Sequence, residues 1–226
     1  MLLANSAYSQ ASKILVYDAA HKNYDVSKAY PDLLPDDMAA TIERSEESIT
    51  DSLLNGKFGL LLFFPQIGLD LNEKQAILSF LEDGGSLFLV FDEEKRTPFN
   101  GINHIIAPFG IELTEQDLPY LHNCGAIADV GDVCKDRREI PYSGGRAVLG
   151  GEVISKVYME GDHVHSAYVN TSNGGKIVVM ADGMASLLMG SAEGVRLTGT
   201  VPADTRYWGK DSRIFMQEML AFFLSD

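Results

Sequence analysis

Acidic side chains stand directly after three apolar runs of this sequence, in positions suited to hydrogen bonding or proton transfer. Asp18 follows the first run, with His21 three residues further on, and Asp92 and Glu93 follow another run. A carboxylate beside an imidazole can fix its tautomer or raise its pKa, and adjacent carboxylates can gather a cation or accept hydrogen bonds from hydroxyls. Asp18 and His21 are therefore a candidate acid–base pair, and Asp92 and Glu93 are candidate ligand-binding residues. A histidine that orders its own loop, and a charged loop neutralised by the following lysine and arginine, would explain the same residues without a ligand.

Three further residues complete this candidate site. Gln66 follows the run Leu60–Phe64, and Asp182 and Gly183 follow the run Lys176–Ala181. Unbroken apolar runs rich in β-branched and aromatic residues are typical of strands buried on both faces of a parallel sheet. Because ligands bind at the carboxyl ends of the strands in open α/β sheets, all these residues are predicted to line one cleft.

His163 and His165 form an H-x-H motif outside that set. Alternate residues of a strand share a face, so both imidazoles could reach one metal ion. No third ligand is close in the sequence, and an exposed strand edge gives the same pattern, so the pair is a weak metal candidate. No cofactor is predicted, because the sequence has neither a G-x-G-x-x-G nor a P-loop pattern.

The two cysteines, Cys124 and Cys134, lie in the glycine-rich part of the chain. One disulfide and two free, partly buried thiols are both compatible with their spacing. His122 could join them in a zinc site, but no C-x-x-C pair supports zinc. The spacing alone leaves the disulfide open.

The composition excludes several classes of partner. The chain has 226 residues, 46% of them hydrophobic, and a formal net charge of −14. Nucleic acids and anionic membranes reward clusters of lysine and arginine, so neither is an expected partner. No apolar stretch approaches the roughly 20 residues that span a bilayer, so no membrane insertion is expected.

Residues 1–10 resemble the end of an export signal, with small residues at Ala7 and Ser9, and otherwise read as a disordered terminus. We expect an exported, periplasmic protein, with a cytoplasmic one as the alternative.

Residues 11–226 are predicted to form one α/β domain, and capping and turn signals place its elements. Asp70 and Glu73 make a capping box for a helix that ends at Gly84, between strands Phe58–Phe64 and Ser86–Phe91. This strand–helix–strand unit should be parallel. Residues 111–173 are rich in glycine and alternate in hydrophobicity, which predicts a β-rich excursion of antiparallel strands. A further edge strand is expected at Thr41–Arg44, and a final helix capped by Asp211.

The order of these motifs resembles the GIFT domain, found in gliding-motility transporter accessory proteins and at the amino terminus of an intraflagellar-transport protein. The similarity covers most of the chain and rests on the order and spacing of loose motifs. The segments that carry it are Val16–His21, Leu78–Phe91, Phe99–Asn103, Phe109–Ile111, Val178–Gly183 and Arg213–Met216.

The resemblance implies the fold of class I glutamine amidotransferases, a flavodoxin-like or Rossmann-like three-layer sandwich with a mostly parallel sheet, here with the glycine-rich β excursion. Those enzymes carry a nucleophilic cysteine on the turn after a strand, where this chain has Asp92 and Glu93. Glutamine hydrolysis is therefore not expected. The resemblance implies a non-catalytic domain that binds a small polar ligand, such as a saccharide, or a protein partner. The alternatives are a hydrolase or lyase using Asp18 and His21, with or without a metal ion, and a scaffold whose acidic surface docks a basic partner. The sequence does not indicate an oligomeric state.

Overall fold

The computed structural model describes residues 12–17, 40–63, 68–93, 99, 101–118, 125–142, 144–157, 163–181 and 211–225. These residues form eleven strands, four α-helices and one 3-10 turn. In chain order the elements are β1 (Ser12–Tyr17), β2 (Ala40–Ser45), α1 (Asp51–Leu54), β3 (Gly59–Phe63), α2 (Leu71–Glu82), β4 (Ser86–Val90), α3 (Asn103–Ile106), the 3-10 turn (Ala107–Phe109), β5 (Ile111–Leu113), β6 (Gly125–Ala128), β7 (Arg138–Pro141), β8 (Val148–Gly150), β9 (Glu152–Val157), β10 (Val164–Asn170), β11 (Lys176–Met180) and α4 (Ser212–Leu224).

All the described strands belong to one mixed sheet. Its main order is β2-β1-β3-β4-β11-β10-β9-β6-β7, and β8 pairs with both β5 and β10. Every pairing among the five strands from β2 to β11 is parallel. Every pairing from β11 to β7 is antiparallel. The predicted edge strand is confirmed as β2, at one end of this order.

The prediction of a mostly parallel sheet is not confirmed. Among the described strands four pairings are parallel and six are antiparallel. The reason lies in residues 111–173, whose strands extend the sheet itself. Tight turns force antiparallel pairing, as between β10 and β11, where the Thr171 amide donates to the Gly175 carbonyl at 2.8 Å. The antiparallel strands expected in this segment are therefore present, but they form half of the sheet.

Helices cover both faces of the sheet, which confirms an α/β fold. Leu87 and Leu89 of β4 belong to the core cluster with α1, α2 and α3, whereas Phe88 and Val90 belong to the cluster with α4. Successive residues of a strand point to opposite faces, and all four side chains are fully buried. The apolar run of β4 is therefore unbroken because the strand is buried on both faces, as predicted. None of the described helices is long and apolar enough to cross a bilayer.

The sequence signals around α2 are confirmed. The Asp70 carboxylate accepts from the Glu73 amide, and the Glu73 carboxylate accepts from the Asp70 amide, both at 2.9 Å. The second Glu73 oxygen accepts from the amide of Ile49 at 3.1 Å, which ties the segment before α1 to the start of α2. Gly84 has a φ of +90° just after the helix, and β3 and β4 are parallel as predicted.

Asp211 stands at the start of α4, but the predicted side-chain cap is wrong. Its backbone has φ −115° and ψ 5°, away from the extended conformation of most capping residues. Its carboxylate instead accepts from the amide of Glu139 on β7 at 2.8 Å. The side chain therefore joins α4 to the last strand of the sheet.

Candidate functional site

The carboxyl ends of β1, β3, β4 and β11 lie along one edge of the sheet, called here the carboxyl edge. Val16 is level with Leu61, and Phe63 and Met180 are both level with Val90. These four strands are parallel and stand in the order β1-β3-β4-β11. They are the strands that precede the predicted cleft residues, so the arrangement on which the cleft prediction rests is present.

Asp92 and Glu93 stand at the carboxyl edge, directly after β4. The amide of Phe91 still donates to the Met180 carbonyl at 2.9 Å, so the chain remains paired up to the residue before Asp92. Asp92 is 4% exposed, and its Oδ1 accepts from the amide of Glu93 at 2.8 Å. Glu93 is half-buried. Their part in ligand binding stays a prediction.

The other predicted cleft residues lie outside the described residues. Each follows the described end of β1, β3 or β11 by a few positions in the sequence. Their approach to Asp92 stays a prediction. These residues are Asp18, His21, Gln66, Asp182 and Gly183.

A fully buried arginine, which the sequence analysis does not identify, lies at the carboxyl edge. The amide of Arg146 donates to the carbonyl of Ala181, just past β11, at 3.1 Å. Its Nη1 donates to the Thr114 carbonyl at 2.9 Å and to the next carbonyl along the chain. The guanidinium carbon lies 4.7 Å from the ring centroid of Phe99 and 5.6 Å from that of Phe91, within cation–π range. Arg146 thus holds the segment after β5 and two aromatic rings beside the end of β4.

A buried network of two hydroxyls and an imidazole lies next to it. The Ala181 amide donates to the His165 carbonyl at 2.9 Å, so the start of β10 adjoins the end of β11. Ser155 Oγ lies 2.8 Å from His165 Nδ1 and 2.5 Å from Ser166 Oγ, and each of these residues is at most 1% exposed. The β9–β10 register shifts on both sides of Ser166, and such bulges re-aim side chains, which explains how two consecutive residues of β10 both reach Ser155. The network fixes the backbone beside the candidate site.

The two histidines of the H-x-H motif have different environments. His165 is buried, with Nδ1 at hydrogen-bonding distance from Ser155, whereas His163 is half-buried and accepts from the Val157 amide through its carbonyl at 2.8 Å. Within the part of the chain that the structure describes, no group of three or more His, Cys, Asp or Glu side chains could hold a metal ion. The metal hypothesis therefore gains no third ligand from these residues.

Cys134 is a free and buried thiol. Burial raises its pKa to about 12, and the charge of Glu218 adds to that shift. Burial would also raise the pKa of Glu218, but hydrogen bonds from Arg138, at 2.9 and 2.7 Å, leave it below the ordinary value. Because only the thiolate is a strong nucleophile, Cys134 is not prepared for covalent catalysis. Cys124 lies outside the described residues.

The sequence carries a weak signal for Arg146 and none for Ser155. Arg146 is a lone cation between Gly144–Gly145 and the apolar run Ala147–Leu149, in a segment whose alternation predicts strands. A cation directly before an apolar run, like an acid directly after one, indicates a candidate site residue. Ser155 is one of several small polar residues in that segment, and only the register shift of β9 and β10 reveals its role.

A groove of about 840 Å³ lies at the opposite edge of the sheet. Phe58 and Gly85, which line it, stand just before β3 and β4, so the groove is at the amino ends of these strands. Ligands of open α/β sheets bind at the carboxyl ends, so its volume does not make it the candidate site.

Comparison with known proteins gives similarity in structure only. No family model and no curated protein matches the chain. The N-terminal domain of mmIFT52 superposes with a TM-score of 0.67 at 14% sequence identity, over 94% of this chain and 97% of that one. A ThuA-like protein from Bacteroides uniformis ATCC 8492 superposes with a TM-score of 0.53 at 12% identity, over 98% and 93% of the two chains. The exo-β-1,4-mannosidase Op5Man5 from Opitutaceae bacterium strain TAV5 gives a TM-score of 0.50 at 14% identity, over 78% of this chain and 32% of that one.

At such low identities these superpositions speak for the fold alone. The similarity to the mmIFT52 domain includes nearly all of both chains, and it supports the GIFT-like fold that the sequence motifs predict. The ThuA-like protein also matches over nearly the full length of both chains. The chain is therefore similar in fold to the N-terminal domain of mmIFT52 and to the ThuA-like protein.

Proposed function

We propose that the chain is a non-catalytic binding domain of the GIFT type, which holds a small polar ligand at the carboxyl edge. Saccharides are the first ligand class to test. The observation that carries the proposal is Asp92, a buried carboxylate on the turn after β4. The amidotransferases that the sequence resembles have their nucleophilic cysteine on this turn. A carboxylate there accepts hydrogen bonds from hydroxyl groups, which suits binding of a polyol.

The surroundings of Asp92 support a pre-formed binding edge. Arg146 holds the rings of Phe91 and Phe99 in place, and the Ser155–His165 contact fixes the neighbouring strand start. Binding sites are more selective when the groups around them are held rigidly by packing and hydrogen bonds. A protonated, buried Cys134 on the antiparallel half of the sheet supports binding over thiol chemistry.

Direct measurement of saccharide binding tests this function. The purified chain is applied to a glycan array, and positive glycans are then measured by titration calorimetry with Asp18→Ala, Glu93→Gln and the control Asp83→Asn. Asp83 is an exposed carboxylate at the opposite edge of the sheet. We expect Asp18→Ala and Glu93→Gln each to weaken binding about tenfold, as expected when a hydrogen bond between a charged group and a ligand is lost. Asp83→Asn should leave it unchanged.

Three results would contradict the proposal. Equal affinity for all variants would remove the carboxyl edge as the site, and no binding to any glycan would remove saccharides as the ligand class. Cleavage of a bound glycan, detected by mass spectrometry and lost in Asp18→Ala, would instead support the hydrolase or lyase alternative.

A further inference from the structure

A second concave surface lies on the antiparallel half of the sheet, away from the carboxyl edge of β1, β3 and β4. We call it the β9 groove. Its volume is about 390 Å³, at the lower end of the range of small-molecule pockets. Part of its lining belongs to the core cluster beneath α4, so its floor is anchored in the fold. The groove is lined by Ile127, Asp129–Cys134, Glu152–Lys156 and Tyr168.

Two exposed apolar side chains lie together at the β9 groove. Among the described residues five large apolar side chains are exposed, and two of them, Val130 and Val153, line this one groove. Val130 is 69% exposed. Single exposed apolar residues are common, but two at one concavity provide area that a partner could remove from water.

The charges at the β9 groove are mostly negative. Asp129, Asp132 and Glu152 are exposed carboxylates, and among the described residues that line the groove Lys156 is the one cation. The Tyr168 hydroxyl donates to Asp132 Oδ2 at 2.6 Å and so holds that carboxylate at the groove. Burial, followed by this hydrogen bond, raises the pKa of Tyr168 to about 12, so the hydroxyl stays a donor at neutral pH.

Two other kinds of occupant fit the groove poorly. Strand addition is not available, because β9 is already paired with β10 on one side and with β6 on the other. A metal ion is not favoured either, since the described acidic side chains form no group that could hold one. A partner would therefore be recognised by the side chains of the β9 groove, which form an apolar surface with carboxylates around it.

We propose that the β9 groove docks a short segment of a partner protein in which Lys or Arg side chains alternate with aliphatic ones. The cations pair with Asp129, Asp132 and Glu152, and an aliphatic side chain covers Val130. Complementary charge sets the orientation and the association rate, and burial of apolar surface adds affinity. The residues that would bind the segment are distinct from the proposed ligand site, because Asp129, Val130, Asp132 and Glu152 are not among the predicted cleft residues. Ser155, which lines part of the groove, contacts His165 beside the carboxyl edge and takes no part in the proposed docking.

A labelled peptide of about eight residues, alternating Lys and Leu, is the probe; fully extended it spans roughly 26 Å. Its binding to the full chain is followed by fluorescence anisotropy at about 50 and 300 mM NaCl, because screening weakens attraction between exposed charges. Two control peptides replace every Lys by Glu or every Leu by Ser. We expect binding of the Lys–Leu peptide only, weakened several-fold at the higher salt concentration.

The charge part of the proposal is tested with Asp129→Asn combined with Glu152→Gln. The matched control is Asp51→Asn combined with Asp83→Asn. It removes the same number of exposed carboxylates from the groove at the amino ends of β3 and β4. We expect the groove variant to weaken binding about fivefold and the control to change it less than twofold, because exposed ion pairs act at short range. Equal losses in both variants would show general attraction to an acidic protein and would overturn the proposal.

The apolar part is tested with Val130→Ser, with Leu71→Ser as its control. Leu71, on α2, is an apolar residue of similar exposure, at 74%. We expect only Val130→Ser to weaken binding of the Lys–Leu peptide, by about threefold, because one partly buried aliphatic contact is lost. Amide shifts in the NMR spectrum should change at residues 127–134 and 152–156. An unchanged affinity for Val130→Ser, or shift changes elsewhere, would overturn the proposal even if saccharide binding at the carboxyl edge is found.

Discussion

The ion pair between β7 and α4 gives the sharpest test of how the antiparallel half of the sheet is held. Arg138 and Glu218 meet through two hydrogen bonds, Nε to Oε2 at 2.9 Å and Nη2 to Oε1 at 2.7 Å. Their side chains are 13% and 12% exposed. Two-point, charge-assisted contacts with little solvent are the strong members of their class. Replacing both residues, singly and together, by Arg138→Met and Glu218→Gln isolates their coupling energy.

We expect a coupling energy of about 2 kcal/mol for this pair, because hydrogen bonds to charged groups contribute more than neutral ones. The expected value stays at the low end of that class because Asp136 lies 3.5 Å from the same guanidinium and can take over part of the interaction. The neighbouring pair Arg137–Glu139 is the control. It has one contact at 3.1 Å, and its side chains are 53% and 28% exposed. Its coupling energy should be about 0.5 kcal/mol or less.

The pair also predicts a pH dependence of stability. Arg138 lowers the pKa of Glu218 below its ordinary value of 4.5 against the opposing effect of burial. The unfolded chain therefore binds a proton at this residue more readily than the folded chain. The stabilisation is complete above the unfolded pKa and is lost as the pH falls through the lower folded pKa. The difference in unfolding free energy between wild type and Glu218→Gln should thus be constant from about pH 7 to 5.5 and shrink below about pH 4.5.

Urea denaturation followed by circular dichroism at each pH measures these free energies. Equal coupling energies for the buried pair and the exposed control pair would refute the assignment of strength to burial and two-point geometry. A wild-type to Glu218→Gln difference that is the same at about pH 3.5 as at neutral pH would refute the pKa argument.

Three further predictions concern close backbone approach, helix capping and thiol reactivity. Gly175→Ala should destabilise the fold by about 3 kcal/mol in urea denaturation, because a Cβ there would lie 2.2 Å from the carbonyl oxygen of Gly85. The control Gly131→Ala, where a Cβ would meet open space, should cost less than about 0.5 kcal/mol. Similar costs for the two variants would contradict the close contact at Gly175. Asp70→Ala should lower the unfolding free energy by about 1 kcal/mol because α2 loses its side-chain cap, and Asp70→Asn, which can still accept that hydrogen bond, should recover most of it. Iodoacetamide should alkylate Cys134 at least about 100-fold more slowly in the native protein than in guanidinium, since burial raises the pKa of this thiol to about 12. Peptide mass spectrometry at pH 8 follows the reaction. Rapid alkylation of the native protein would show that the thiol is accessible.

The parallel half of the sheet could be predicted because its signals are local. The run Ser86–Val90 is apolar at every position because both faces of β4 are covered, and the Asp70 and Gly84 signals mark both ends of α2. Each of these features depends on residues adjacent in sequence. Strand type, helix limits and parallel pairing followed from them without knowledge of distant contacts.

The antiparallel half and the network at the candidate site were harder to predict for the opposite reason. The run Glu152–Val157 has an irregular burial pattern because the register with β10 shifts twice, so its alternation does not reveal which side chains share a face. Arg146 is buried because distant residues supply its partners, the carbonyl of Thr114 and the rings of Phe91 and Phe99. Pairings of this kind depend on the three-dimensional arrangement and leave no periodic trace in the sequence.

The contact between Asp211 and β7 has a consequence for self-association. β7 is the last strand in the order of the described sheet, and a terminal strand offers free amide hydrogens to any other chain that can align with it. The carboxylate of Asp211 occupies the amide of Glu139, and Pro141, at the end of the same strand, has no amide hydrogen to offer. Loss of Asp211 would thus change the helix content of the protein little, but would free the Glu139 amide and leave this edge less protected against pairing with another chain.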